Sequence, residues 1–271
     1  MASKAFGNIL IVYKPAPRAS RRIPAHAAQE HVRTLDHLYQ LLQHRSLPFR
    51  AIPLEQLGPI ADVDLVITVG GDGTVLATSH FATTQPILGV KSFGQTSVGH
   101  FCAATRTTLD RYLQRILKRT LQPKQLHRLR ATMNEHPLEE LILNECLFAH
   151  GSPAAISDYR LCIGRHRETQ RSSGVWVGTA AGSTAAMLGA GGRALPLESD
   201  AIQYLVREPY HPNGSYRLRG DVLSPRQQLR LLSLTPHGTI SIDGAHIQYP
   251  APEGTEITIR NADRPLHIYW R

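Results

Sequence analysis

The first hundred residues alternate unbroken apolar runs with helix-spaced ones. Asn8–Val12 (NILIV), Asp64–Val69 (DLVITV) and Pro86–Val90 (PILGV) are short continuous apolar runs, the form taken by strands buried on both faces. Between the first two, Ala28–His44 sets Val32, Leu35, Leu38 and Leu42 at helical spacing with polar residues between them. Gly70–Thr74 breaks the second run, and Val75–Phe81 can begin a helix after it. Strands joined by helices predict a parallel sheet with crossover connections.

Beyond Ala104 the pattern changes. Thr108–Arg119 (TLDRYLQRILKR) is spaced as one amphipathic helix with a basic carboxyl end. After it come strand-like runs separated by turn residues: 125–133, 141–148, 156–163, 175–179, 229–234, 239–242, 256–260 and 266–270. Many short strands at this spacing predict a sandwich or barrel-like β domain. One Gly/Ala-rich stretch, GSTAAMLGAGG, reads as a short, closely packed helix. The expected organisation is an α/β amino-terminal domain over residues 1–105 and a mostly β carboxyl-terminal domain over 106–271. The cleft between them is the default place for a ligand.

Composition narrows the class. With 271 residues, 42% hydrophobic and 19% charged, the chain is long and apolar enough for a sizeable core and is not of disordered type. No apolar run approaches the roughly 20 residues needed to span a bilayer as a helix. Cys102, Cys146 and Cys162 show no CxxC pairing and read as ordinary buried thiols of a reducing compartment. The amino-terminal residues show no targeting pattern, and a cytoplasmic protein is expected. A net charge of +9 suits polyanionic partners. No run of five basic residues occurs and aromatics are only 6%, which favours nucleotides over nucleic acid.

Three constellations carry candidate chemistry. Gly70-Gly71-Asp72-Gly73-Thr74 stands immediately after DLVITV, and such a pentapeptide would arise by chance in roughly one in several thousand chains of this length. Glycines at the end of a parallel strand let backbone amides approach an anion, and the following helix offers its amino terminus to phosphate. Asp72 would repel phosphate, so it faces either a hydroxyl or a metal, or it caps the helix starting near Thr74. The second constellation is Gly174–Gly192, where Thr179 to Thr184 either line a nucleobase and ribose or simply allow close packing. The third is Asn144-Glu145 inside the apolar run LILNECLF, where mid-strand polar groups meet a ligand or close an internal network. Arg18, Arg21 and Arg22 are either phosphate contacts or a solvated basic loop. His26, His100, His150 and His237 lack a metal-ligand spacing.

Together these segments, in this order, resemble the NAD kinase family over roughly residues 8–260. GGDGT, Asn144-Glu145, Thr179–Ala186 with Gly191-Gly192, and the Asp243-Gly244 turn in TISIDGAHI carry the resemblance. PILGVKSFGQTSVGHFCA, RSSGVWVGTAAGS and YLVREP are similar to the mitochondrial-type branch and its bacterial relatives. The chain departs from the family pattern at Lys91 (Asn expected), Ser173 (Asp in most bacterial members) and Ala186 (an aromatic expected). The resemblance implies a Rossmann-like parallel sheet of the NAD kinase/diacylglycerol kinase type plus a β domain. It implies transfer of the γ-phosphoryl of ATP, with Mg²⁺ carried on the phosphates, to the adenosine-ribose 2′-hydroxyl of NAD. Asp72 would be the catalytic carboxylate, and Gly71, Gly73 and Thr74 would bind phosphate. Asn144, Glu145, Ser173, Thr179, Ala180 and Ser183 would hold the dinucleotide, with no protein-held metal. A homo-oligomer, dimer or tetramer, without nucleic acid or membrane partner, is expected. A lipid or sphingoid-type kinase and a non-catalytic dinucleotide-binding protein remain the alternatives.

Overall fold

The computed structural model describes residues 6–15, 25–92, 98–211 and 214–270. The chain divides into two compact units, one of Met1–Gln125 with Leu266–Arg271, the other of Leu126–Pro265.

The first unit follows the alternating pattern. In order come β1 (Ile9–Tyr13), α1 (Ala25–His44), β2 (Phe49–Pro53), β3 (Leu65–Gly70), α2 (Asp72–Ser79), β4 (Ile87–Lys91), β5 (Ala104–Thr105) and α3 (Leu109–Leu117). β2, β1, β3 and β4 lie side by side and all pair in parallel. Every residue of β3 is buried, as its unbroken apolar run requires. Leu38 and Leu42 of α1 and Leu109, Leu113 and Ile116 of α3 join Ile9, Ile67, Leu88 and Val90 in one core. Burial of that stripe explains why α3 belongs to this unit, so the division falls about twenty residues beyond the boundary expected after residue 105.

The terminal run 266–270 also departs from expectation. Its strand, Leu266–Tyr269, pairs in parallel with β4 (Ile268 opposite Ile87, Tyr269 opposite Leu88) rather than with the β half. β4 therefore has β3 on one side, and on the other the terminal strand near its start and β5 at its end.

The second unit contains two six-stranded antiparallel sheets. One orders His166–Ser172, Ser157–Ile163, Leu229–Ser233, Glu256–Asn261, Leu129–Met133 and His136–Ile142. The other orders Gly220–Leu223, Ile202–Val206, Val175–Gly178, Glu145–His150, Gly238–Ile242 and Ile247–Pro250. Inward residues of both sheets, among them Tyr159, Leu161, Val177, Ile240 and Ile257, form one core, which makes the unit a sandwich. Alternation shows in Ser157–Ile163, where every second residue is buried. The strand His166–Ser172 (HRETQRS) has too few apolar residues to betray itself. It forms through its hairpin register with Ser157–Ile163 around Gly164, whose φ is +58°. GSTAAMLGAGG holds a 3₁₀ turn, Ala181–Thr184, followed by the single helical turn Ala186–Gly189.

Gly174, in the segment RSSG, has φ +115°, and a Cβ there would lie 2.2 Å from the Phe148 carbonyl oxygen. Gly174→Ala is expected to lower stability by about 2–3 kcal/mol, since both the backbone conformation and the space exclude a side chain. An unchanged midpoint in urea denaturation would show that the strand edge yields freely.

Candidate functional site

In the first unit the chemistry collects where β3 gives way to α2. The helix starts at Asp72, two residues before the expected position, with Gly71 as N-cap and no side-chain capping bond. Asp72 is thus not a helix cap. Its carboxylate reaches across to a later segment, Oδ2 accepting from the Gly99 amide at 2.9 Å and Oδ1 from the Phe101 amide at 2.7 Å. A carboxylate offers about four lone-pair directions, so two bonds leave it able to accept a further proton donor. Gly70 must lack a side chain, because a Cβ would stand 2.1 Å from Thr74 Oγ1. Thr74 is buried in this contact, while Gly73 is exposed with open space around its Cα. Beneath the loop the Gly70 carbonyl accepts the Ser92 amide at 2.9 Å, and the Ser92 hydroxyl is hydrogen-bonded to Nδ1 of the fully buried His31 at 2.7 Å. Burial lowers the pKa of His31, favouring the neutral ring.

In the second unit the Asn-Glu pair is organised by a residue one hundred positions away. The Asp243 carboxylate accepts from the amides of Leu143 (2.9 Å), Asn144 (2.7 Å) and Glu145 (3.2 Å), and the Asp243 amide donates to the Glu145 carbonyl at 2.9 Å. This convergence bends the chain, so the expected strand 141–148 splits into His136–Ile142 and Glu145–His150 and Asn144 is not mid-strand. Asn144 and Glu145 are buried, at 8% and 6% exposure, and neither Asn144 Oδ1 nor Glu145 Oε2 has a hydrogen-bond partner. Leaving two such atoms unmatched is costly unless a ligand supplies the donors. Burial pushes the Glu145 carboxyl up to about 7, with the charge of Asp243 adding to the rise.

The Gly/Ala segment packs directly on this bend. A Cβ on Gly182 would lie 2.3 Å from the Asn144 carbonyl oxygen. Thr179 Oγ1 donates to the Leu143 carbonyl at 2.5 Å and accepts the Gly182 amide at 3.0 Å. Ser183 Oγ donates to the Ala180 carbonyl at 2.7 Å and accepts the Leu195 amide at 2.9 Å. Thr179, Ala180 and Ser183 are all buried, and both hydroxyls are engaged with backbone; Thr184, Ala185 and Ala186 are exposed, as are residues 188–191. Ser173 is half-buried and donates its amide to the Arg207 carbonyl at 3.0 Å. It lines a groove of mixed polar and apolar character with His150, Ser152, Arg207, Ser241 and Gln248.

Other candidates fare differently. Arg18, Arg21 and Arg22 lie outside the described residues. His150 and His237 meet edge to face, and His100 packs against Phe101 and Trp270. Among the described residues no group of three or more His, Cys, Asp or Glu could hold a metal ion. None of the three cysteines forms a disulfide, and Cys162, unlike Cys102 and Cys146, is only half-buried. No helix of the described residues is long and apolar enough to cross a membrane. Sequence reasoning gave no role to Gly99 and Phe101, whose amides bind Asp72. It noted Asp243 only as a turn, and nothing local in TISIDGAHI says what its carboxylate accepts.

A buried carboxyl whose pKa rises on folding stabilises fully below its unfolded pKa, and that contribution is lost as pH rises through the folded value. For Glu145 the window runs from about 4.5 to about 7 and amounts to roughly 3 kcal/mol at its upper end. Glu145→Gln, which keeps the shape without the charge, is expected to raise the melting temperature at pH 8 and to leave it little changed at pH 4.5. An equal shift at both pH values would mean that the carboxylate is not desolvated.

A family model for the ATP-NAD kinase N-terminal domain matches residues 26–121. A probable NADH kinase of Oryza sativa subsp. japonica is 34% identical over 260 residues, covering 87% of this chain and 80% of its own length. The NADH kinase of Arabidopsis thaliana is 35% identical over 267 residues, 88% of this chain and 83% of its own. Among solved structures, yeast NADH kinase complexed with NADH superposes with a TM-score of 0.79 at 18% identity, covering 99% of this chain and 84% of that one. An NAD kinase from Archaeoglobus fulgidus in complex with ATP gives 0.73 at 19% identity, covering 97% and 93%. The two structures share the fold, and the plant relatives share about a third of the residues across most of both chains: the chain belongs to the NAD kinase family.

Proposed function

We propose that the protein transfers the γ-phosphoryl group of ATP to the 2′-hydroxyl of the adenosine ribose of NAD(H), forming NADP(H). The observation that carries this reading is Asp72: a carboxylate at the first turn of a helix, directly after a glycine pair suited to phosphate, in a chain a third identical to named NADH kinases. Phosphoryl transfer asks mainly for positioning and charge neutralisation, and modestly for a base. Asp72 is fixed by two amides and keeps lone pairs for the ribose hydroxyl, which it orients and whose proton it accepts. Gly73 presents backbone with open space beside it, Gly71 is the N-cap of α2, and Thr74 keeps the helix start pressed on Gly70.

The unmatched Asn144 Oδ1 and Glu145 Oε2 are acceptors for the hydroxyl or amino donors of an adenosine group. With its pKa near 7, Glu145 can also donate when protonated. Thr179, Ala180 and Ser183 act by shaping the backbone rather than by offering their side chains, and the groove beside Ser173 is a further contact for the dinucleotide. A divalent ion such as Mg²⁺, held by phosphate oxygens and water and brought in on the nucleotide, fits a chain whose described residues form no carboxylate or histidine cage. When bound it neutralises charge on the phosphates. The enzyme acts in the cytoplasm as a homo-oligomer in this reading, with cysteines outside any disulfide in keeping with a reducing compartment. A lipid-type acceptor is not favoured by relatives named for NADH.

Asp72→Asn is the direct test, assayed with ATP, Mg²⁺ and NAD or NADH and read out with an NADP-specific dehydrogenase. The variant is expected to lose about 10²–10⁴-fold in kcat. Because Gly99 and Phe101 donate to different carboxylate oxygens and the amide keeps only one of them, it is also expected to lose about 1–3 kcal/mol of stability, unlike an exchange of one helix cap for another. A folded Asn variant turning over at the wild-type rate would remove Asp72 from the chemistry.

A further inference from the structure

The geometry points to Lys91 as a phosphate-binding group of this site, one that places a positive charge on the triphosphate of the donor nucleotide beside Asp72. The inference rests on the kinase reading above. Lys91 is the last residue of β4 and pairs with Gly70 across the ladder on one side and with Thr105 of β5 on the other. In-register residues of parallel strands point to the same face of the sheet. On that face the space before Gly70 is filled by Thr74, so Lys91 stands next to the first turn of α2.

The side chain is held on its other flank as well. Gly99 has φ +70°, and a Cβ placed on it would come within 2.8 Å of Lys91 Cδ and 3.4 Å of Cε. The aliphatic stem therefore runs along a residue whose own amide binds Asp72 Oδ2. Lys91 is half-buried, yet among the described residues no hydrogen bond or ion pair engages its ammonium, and Asp72 is not within ion-pair distance of it. A cation guided to this position by two backbone neighbours and left without a counter-charge is matched by an anion from outside the chain. Phosphoryl transfer supplies one, because charge spreads over the phosphate oxygens in the transition state and a fixed cation there stabilises it.

Three full-length variants separate charge from packing. Lys91→Met keeps the stem against Gly99 and removes the charge, Lys91→Arg keeps the charge, and Lys91→Asn removes both. Steady-state NADP formation and calorimetric ATP affinity are measured for each, with melting temperature as the check on folding. Lys91→Met is expected to lose about 10²-fold in kcat/KM for ATP with KM for NAD within about twofold, to bind ATP measurably more weakly, and to melt as wild type. Lys91→Arg is expected to recover most of the loss, and Lys91→Asn to resemble Met. Wild-type ATP affinity and kcat/KM in Lys91→Met would overturn the assignment, as would equal losses in Met and Arg, which would mark a packing role. If the wild-type chain makes no NADP, the kinase reading fails. Lys91 is then decided on ATP affinity alone, and an unchanged dissociation constant in Lys91→Met refutes it.

Discussion

Three successive amides, those of Leu143, Asn144 and Glu145, converge on the single carboxylate of Asp243, and the polar chemistry of the second unit depends on that convergence. Bonds from amides to an ionised carboxylate are shorter and stronger than neutral ones, so they can hold a bend that an apolar strand would otherwise straighten. The bend turns the Leu143 and Asn144 carbonyls toward Thr179, and it needs the bare Cα of Gly182 against Asn144. Two buried acceptors are left unmatched as a result. Each carries a free-energy cost that a donor from outside the chain would remove.

The first unit uses the same device with a different outcome. Asp72 also gathers amides, those of Gly99 and Phe101, but it sits half-buried at a helix start and keeps capacity to accept more. In the proposed reaction one residue thereby fixes a loop and faces the ribose hydroxyl. Structural and chemical roles share the same two oxygen atoms, so a loss of turnover at this position is interpretable only beside a measurement of folding. Asp243 has no such double duty, since its three accepted amides and its reciprocal bond to Glu145 keep it within the scaffold.

Much of the first unit was legible because its strands are continuous apolar runs with only one way to be buried. NILIV, DLVITV and PILGV each became a parallel strand, within one residue of the expected bounds. The glycine-rich loop was legible from composition and place. What escaped is what depends on distant partners. HRETQRS is a strand through its register with a neighbour, not through its own polarity. Likewise, the break at Asn144 is dictated by Asp243, and no local signal in LILNECLF marks it. The sequence left the hydroxyls of Thr179 and Ser183 open between ligand contact and close packing, because one backbone partner of each, Leu143 and Leu195, lies well outside any local window.

The strand Leu266–Tyr269 lies between β4 and the short strand Lys124–Leu126, in a sheet whose other members all precede residue 127. During synthesis the whole sandwich of Leu126–Pro265 emerges between β4 and the partner that covers its first residues. At about 5–20 residues per second that interval is on the order of ten seconds, far longer than a small domain needs to collapse. Through it the buried side of Ile87 and Leu88 lacks its ladder partner, an open strand edge that invites other chains. The first unit is begun first and finished last, and its edge is the part of this fold that most depends on the sandwich being made promptly.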